Sequence, residues 1–188
     1  MKNKTQIILV AVIMAILTAG FVFFNEYSKT HQVEGTDFDR REAAKEFNLP
    51  VIGKSAFLPS EATMSLTQAR KKPVLVHFWA SWCTICREEK PTLDAFWEKH
   101  KDEDIVVLGL ASFDTKEAMD DSKLIAKPTF TVLLDADGDI ANAYKVSALP
   151  VSVLIGADGY IVQRFMGTLK TYDFVAIENY LDSLKKSH

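Results

Sequence analysis

The sequence predicts an α/β layered fold on three observations. After residue 72, apolar runs of strand length alternate with segments whose apolar residues recur at helical spacing, the pattern of a sheet with helices on its faces. Pro73–Trp79 is an almost unbroken apolar run with His77 inside it, fit for a central strand covered on both sides. Near the end, Val151–Ile155 and Tyr160–Phe165 flank Asp158-Gly159, a dipeptide favoured in tight hairpin turns.

The elements follow in order. Lys2 and Lys4 precede the apolar run Ile7–Phe24, which as a helix would span roughly 27 Å against a hydrocarbon core of about 30 Å. A cleaved signal peptide is the alternative, with Thr18-Ala19-Gly20 as its small-residue site. Phe21-Val22-Phe23-Phe24 prolongs the run beyond that point and favours a retained anchor. The paired lysines keep the N-terminus in the cytoplasm. The rest of the chain is therefore expected on the periplasmic side of the cytoplasmic membrane, where disulfides persist. Residues 1–24 read as anchor, 25–46 as a charged tether without heptads, and 47–188 as one domain.

Within that domain, Cys86–His100 carries Leu93, Phe96 and Trp97 at helical spacing. The charged stretch Glu98-Lys99-His100-Lys101-Asp102 then reads as exposed surface. Asp104–Ser112 supplies a second strand, and Tyr172–Lys186 a final amphipathic helix with Phe174, Ile177, Leu181 and Leu184 inward. The net charge of −3 comes without a basic stripe, which argues against a nucleic-acid partner. Asp135-Ala136-Asp137-Gly138-Asp139 opens like a calcium loop, but its glycine comes early and position twelve is Val146. A polar turn is expected there, and no metal site.

The chemistry lies in Trp82-Cys83-Thr84-Ile85-Cys86, which holds both cysteines of the chain. So short a ring cannot staple distant parts of a fold. Structural zinc wants four ligands, and no two of His31, His77, His100 and His188 have finger spacing. A dithiol cycling between reduced and oxidised forms is the remaining reading, and it needs no cofactor.

The flanks resemble a known family. Pro73-Val74-Leu75-Val76-His77-Phe78-Trp79-Ala80-Ser81-Trp82-Cys83 is similar to the central strand of a thioredoxin fold leading into its active site. Pro91 stands where thioredoxins kink the active-site helix. Tyr144–Ile155 resembles the segment with the family's cis-proline, and Gly156–Ile161 its hairpin turn. Together these resemble the membrane-anchored TlpA/ResA/DsbE type of thiol-disulfide oxidoreductase. The resemblance implies a thioredoxin fold, a central mixed sheet flanked by helices, with a helix–strand insertion at Glu117–Leu134 before the cis-proline segment.

It also implies a site. Cys83, at a helix start where free N–H groups favour an anion, would attack, and Cys86, one turn in, would resolve. Glu89 matches an active-site glutamate of ResA-like proteins and is expected, with His77, to support proton transfer at Cys86. His77 departs from the aspartate or asparagine usual at its position. A histidine bonded in the core is the plainer reading of it. The family often has proline where this chain has Ile85. Trp82 would form an apolar lip beside Cys83, and Leu149 and Pro150 would bind the substrate chain.

The implied activity is exchange of the Cys83–Cys86 pair with protein thiols and disulfides, as a reductant before an oxidant. The implied partners are apocytochrome c haem-site cysteines and a membrane thiol-electron transporter, with residues 7–24 in the membrane. Alternatives are a DsbA-like protein oxidant and a non-catalytic Sco-like copper module. The copper module wants three residues between its cysteines, where this chain has Thr84-Ile85.

Overall fold

The computed structural model describes residues 14, 18, 41–52, 63–101, 105–121 and 129–186. The chain divides into two units, Met1–Arg40 and Arg41–His188. In the first, Met14 and Thr18 are helical. The expected anchor Ile7–Phe24, its alternative cleavage site and residues 25–40 of the expected tether otherwise lie outside the described residues. Among those described, no helix is long and apolar enough to cross a membrane.

The second unit runs β1 (Asn48–Pro50), β2 (Thr63–Ser65), α1 (Leu66–Ala69), β3 (Val74–Trp79), α2 (Thr84–His100), β4 (Val106–Ser112), α3 (Lys116–Asp121), β5 (Thr131–Asp135), α4 (Asp139–Ala143), β6 (Val151–Ile155), β7 (Ile161–Met166) and α5 (Thr171–Lys186). The main sheet has the order β5-β4-β3-β6-β7. β3 pairs parallel with β4 and antiparallel with β6, β4 pairs parallel with β5, and β6 pairs antiparallel with β7. This is the mixed sheet of a thioredoxin-like fold. The expected helix–strand insertion corresponds to α3 and β5, with β5 as an outer strand of the main sheet; residues 122–128 between them lie outside the described set.

Side-chain alternation along β3 sorts the core into two clusters. Leu75 and Trp79 face the cluster built with Leu93 and Phe96 of α2 and Ile177 and Leu181 of α5. Val74, Val76 and Phe78 face a second cluster with Phe47, Leu66, Tyr144 and Val146. All six residues of β3 are buried, so the strand has no face to offer solvent.

Two boundaries differ from the sequence expectation. Residues 41–46 belong to the domain and not to the tether. Ala43 bridges Tyr160, the Ile161 N–H donates to the Glu42 carbonyl, Arg41 pairs with Asp158 and Arg164 pairs with Glu42. These pairings join residues 41–43 to β7 and its turn, and a reading that looks for apolar periodicity does not see them. His100 is also corrected. It is buried at 5% exposure, lies 4.6 Å from the Phe96 ring and contacts Glu178 of α5 through Nε2 at 3.1 Å. Leu93, Phe96 and His100 share the inward stripe of α2, and α5 covers it.

The Asp135 carboxylate caps α4 by accepting from the Ile140 and Ala141 N–H groups, and it also takes the Ser112 hydroxyl. Gly109 sits on the α2 side of β4, where an added Cβ would come within 2.7 Å of the Phe130 ring and 3.0 Å of Trp79 Nε1. Gly109→Ala should therefore lower stability by about 1–3 kcal/mol through overpacking. Urea denaturation of the oxidised protein reads this, and an unchanged midpoint would contradict the packing described.

Candidate active site

The chain leaves β3 at Trp79 and turns into α2 through Ala80, Ser81 and Trp82. The turn is held from two sides. The Cys83 N–H donates to the Ala80 carbonyl at 3.1 Å. The buried Asp114 carboxylate accepts from both the N–H and the hydroxyl of Ser81. Cys83 thereby becomes the N-cap of α2, with its Sγ accepting the Cys86 N–H at 3.2 Å.

Cys83 and Cys86 form a disulfide with an S–S distance of 2.06 Å. Cys83 is the more accessible of the two, at 8% against 1% for Cys86. Exposed apolar side chains flank it, Trp82 at 60% and Ile85 at 54%. The Trp82 indole N–H donates to the Phe113 carbonyl at 2.9 Å, and Phe113, itself exposed, has φ 56°. A helix N-terminus aimed at one sulfur, within an exposed apolar rim, suits a thiolate that meets other chains.

The Leu149–Pro150 peptide is cis. It immediately precedes β6, whose Val151 pairs with Phe78, so it lies at the same end of the sheet as the start of α2. Leu149 is half-buried between the two core clusters, and the Pro150 carbonyl accepts the Gly167 N–H at 3.0 Å.

Glu89 is buried one turn past Cys86, at 5% exposure. One carboxylate oxygen accepts the Leu169 N–H at 2.6 Å; the other has no partner among the described residues. Burial pushes its pKa up to about 7, against the pull of the Leu169 N–H and of Lys170. His77 is buried as well, and its Nδ1 lies 2.9 Å from the Ser152 hydroxyl directly across the β3–β6 pairing. Burial pushes its pKa down to about 4, so the ring is neutral at physiological pH.

Two residues near the cysteines were not singled out from the sequence. Lys90 is only 8% exposed and pairs with Asp94, whose other oxygen accepts from the Thr129 N–H and hydroxyl. Trp79 is buried with its indole nitrogen unpartnered among the described residues. For Lys90 a signal existed: it stands four residues after Cys86, on the same side of the helix.

The family model of the AhpC/TSA family matches residues 41–164, and the chain belongs to that family. Within it, the fold and the Cys83–Cys86 pair make the protein a thiol-disulfide oxidoreductase of the TlpA/ResA/DsbE type. It is similar to the thiol-disulfide oxidoreductase ResA of Oceanobacillus iheyensis, 26% identical over 97% of this chain and 91% of that one. It is also similar to two solved structures. A Chlorobium tepidum protein assigned as thiol:disulfide interchange protein DsbE superposes with TM-score 0.63 and 27% identity, over 77% of this chain and 96% of the other. An exposed lipoprotein thioredoxin of Streptococcus pneumoniae superposes with TM-score 0.60 and 27% identity, over 74% and 99%.

Glu89 and His77 tilt stability with pH in opposite directions. Glu89 titrates near 4.5 when unfolded and about 7 when folded, so between those values the native state holds the extra proton and stability falls as pH rises. His77 titrates near 6.5 when unfolded and about 4 when folded, so there the unfolded chain holds the extra proton and stability falls as pH drops. Each window is worth on the order of 3 kcal/mol, and the two nearly cancel where they overlap. Glu89→Gln should expose a stability that climbs between pH 4.5 and 6.5, and His77→Asn one that declines over the same range. Urea midpoints across that range check this; curves parallel to the parent's would contradict it.

Proposed function

We propose that the protein is a membrane-tethered, periplasmic reductant of protein disulfides. Cys83 attacks a substrate disulfide, and Cys86 then attacks Cys83 and releases the reduced substrate. Apocytochrome c cysteines awaiting haem are a fitting substrate, with a membrane thiol-electron transporter re-reducing Cys83–Cys86. The observation that carries the exchange mechanism is the asymmetry of the sulfurs: Cys83 caps α2 within an exposed apolar rim, and Cys86 is wholly buried. The likeness to ResA and to an exposed lipoprotein thioredoxin supports the periplasmic setting, as does the sequence of residues 7–24.

In the resolving step Cys86 must lose a proton. An acceptor works best when its pKa lies near the operating pH. Glu89, at about 7, meets that condition, and His77, at about 4, does not. Glu89 therefore takes the Cys86 proton, through the oxygen that has no partner among the described residues, while His77 stays neutral and holds Ser152. At Cys83, a thiol pKa lowered from ~8.5 to ~7 yields about 16-fold more thiolate at neutral pH. Lower nucleophilicity returns about fivefold of that, so the net gain in attack is only about threefold. In the resolving step Cys83 Sγ is the sulfur attacked and the substrate thiolate is the leaving group, so a lowered Cys83 pKa acts on the first attack.

Cys86→Ser should accumulate mixed disulfides through Cys83, and Cys83→Ser should accumulate few. Equal trapping by both would overturn the assignment of roles. Glu89→Gln should slow resolution at pH 7 by about 10²-fold while sparing the first attack, as read by stopped-flow on both steps. An unchanged resolving rate would remove Glu89 from the proton path.

A further inference from the structure

Beside Cys86 lies a cavity of about 10 Å³ lined by His77, Trp79, Cys86, Lys90, Leu93 and Phe130. It has room for about one water molecule. Two of its walls are hydrogen-bond donors. Trp79 is 3% exposed, and its indole N–H has no acceptor among the described residues. A Cβ placed on Gly109 would touch both the Phe130 ring and Trp79 Nε1, so the indole nitrogen lies beside Phe130, another wall of the cavity. Lys90 brings a buried side-chain nitrogen, paired with Asp94.

A buried donor without an acceptor is destabilising, and a buried lysine needs a counter-charge. Among the described residues only the second need is met. The missing acceptor is one that the reaction supplies. When Cys86 is deprotonated to resolve a mixed disulfide, an anion appears on a sulfur that borders this cavity. Burial disfavours that anion, and so does an ionised Glu89 one turn away.

We infer that Trp79 and Lys90 are positioning residues for the resolving step, lining the cavity as donors that stabilise the Cys86 thiolate directly or through one water. The inference rests on Cys86 being the resolving thiol. Cys86 passes its proton to Glu89, and its thiolate attacks Cys83 Sγ. The Cys83–Cys86 bond forms as the Cys83–substrate bond breaks, and the substrate leaves as a thiolate, with no further oxidant or reductant. The charged groups near Cys86 are Arg87, Glu88, Glu89, Lys90 and Asp94 on α2 and Asp114 at the Ser81 turn, with Lys170 and Asp173 beyond Glu89. β3 contributes the neutral His77; Thr129 and Phe130, leading into β5, and Ser152 on β6 do not titrate in this range.

The test is the Cys86 pKa, read by thiolate ultraviolet absorbance in the full chain carrying Cys83→Ser. Trp79→Phe and Lys90→Met should each raise it by about one unit, which is about tenfold less thiolate at pH 7. Lys90→Arg should hold it at the parent value. With both cysteines present, the same two variants should slow resolution about threefold, because greater nucleophilicity offsets part of the loss. The double variant Lys90→Met/Asp94→Asn should still titrate high; a return to the parent value would mean that an exposed Asp94 charge caused the shift and would overturn the role of Lys90. If Trp79→Phe fails to fold, the Lys90 series decides alone. Parent-like Cys86 titration in the folded variants would overturn the inference, whereas the trapping experiment above separately tests whether Cys86 resolves at all.

Discussion

Burial of β3 on both faces is the constraint from which the site follows. A strand without a solvent face must sit mid-sheet, between β4 and β6, and must end where the sheet ends. Its last residues hand the chain to α2 within one tight turn, and Asp114 from the loop after β4 holds that turn. Cys83 is thereby set at the helix start and Cys86 one turn down against the α2-side core. Pairing between β3 and β6 also brings the Leu149–Pro150 peptide to the same end of the sheet.

The same burial makes the electrostatics at Cys86 severe. Glu89 and Lys90 are buried beside it, so each matters more than it would at the surface. One Glu89 oxygen has no partner among the described residues, and burial holds the carboxyl at a pKa suited to moving a proton near neutrality. Lys90 and Trp79, which line the cavity beside the sulfur, work in the opposite sense. Their balance lets a wholly buried thiol ionise when required without being ionised at rest. His77, buried and neutral, is chiefly a tie between β3 and β6 through Ser152.

Much of this was legible in the sequence, for identifiable reasons. β3, α2, β4, the β6–β7 hairpin and α5 are long or strongly patterned, and each begins or ends within about two residues of expectation. The two cysteines were legible because few other chemistries use that spacing. β1 and β2 were not legible, since three-residue strands carry no period. His100 was hidden by the charges on either side of it, although its place on the Leu93–Phe96 stripe was available. Lys90 was hidden in the same way, inside Arg87-Glu88-Glu89-Lys90, where a charge run reads as a solvated face. Trp79 reads as one more apolar strand residue, and only the packing shows that its N–H lacks an acceptor among the described residues. The start of the domain at Arg41 depends on pairing with residues more than a hundred positions away, which no local pattern encodes.

The equilibrium between Cys83–Cys86 and glutathione bears most directly on the central claim, that this dithiol donates electrons to protein disulfides. Equilibration of the full chain across glutathione buffers, with the oxidised fraction read by thiol alkylation, gives its reduction potential. A reductant should lie near about −270 mV, as thioredoxin does. A potential near about −120 mV, that of a strong protein oxidant such as DsbA, would contradict the claim and reverse the direction of exchange.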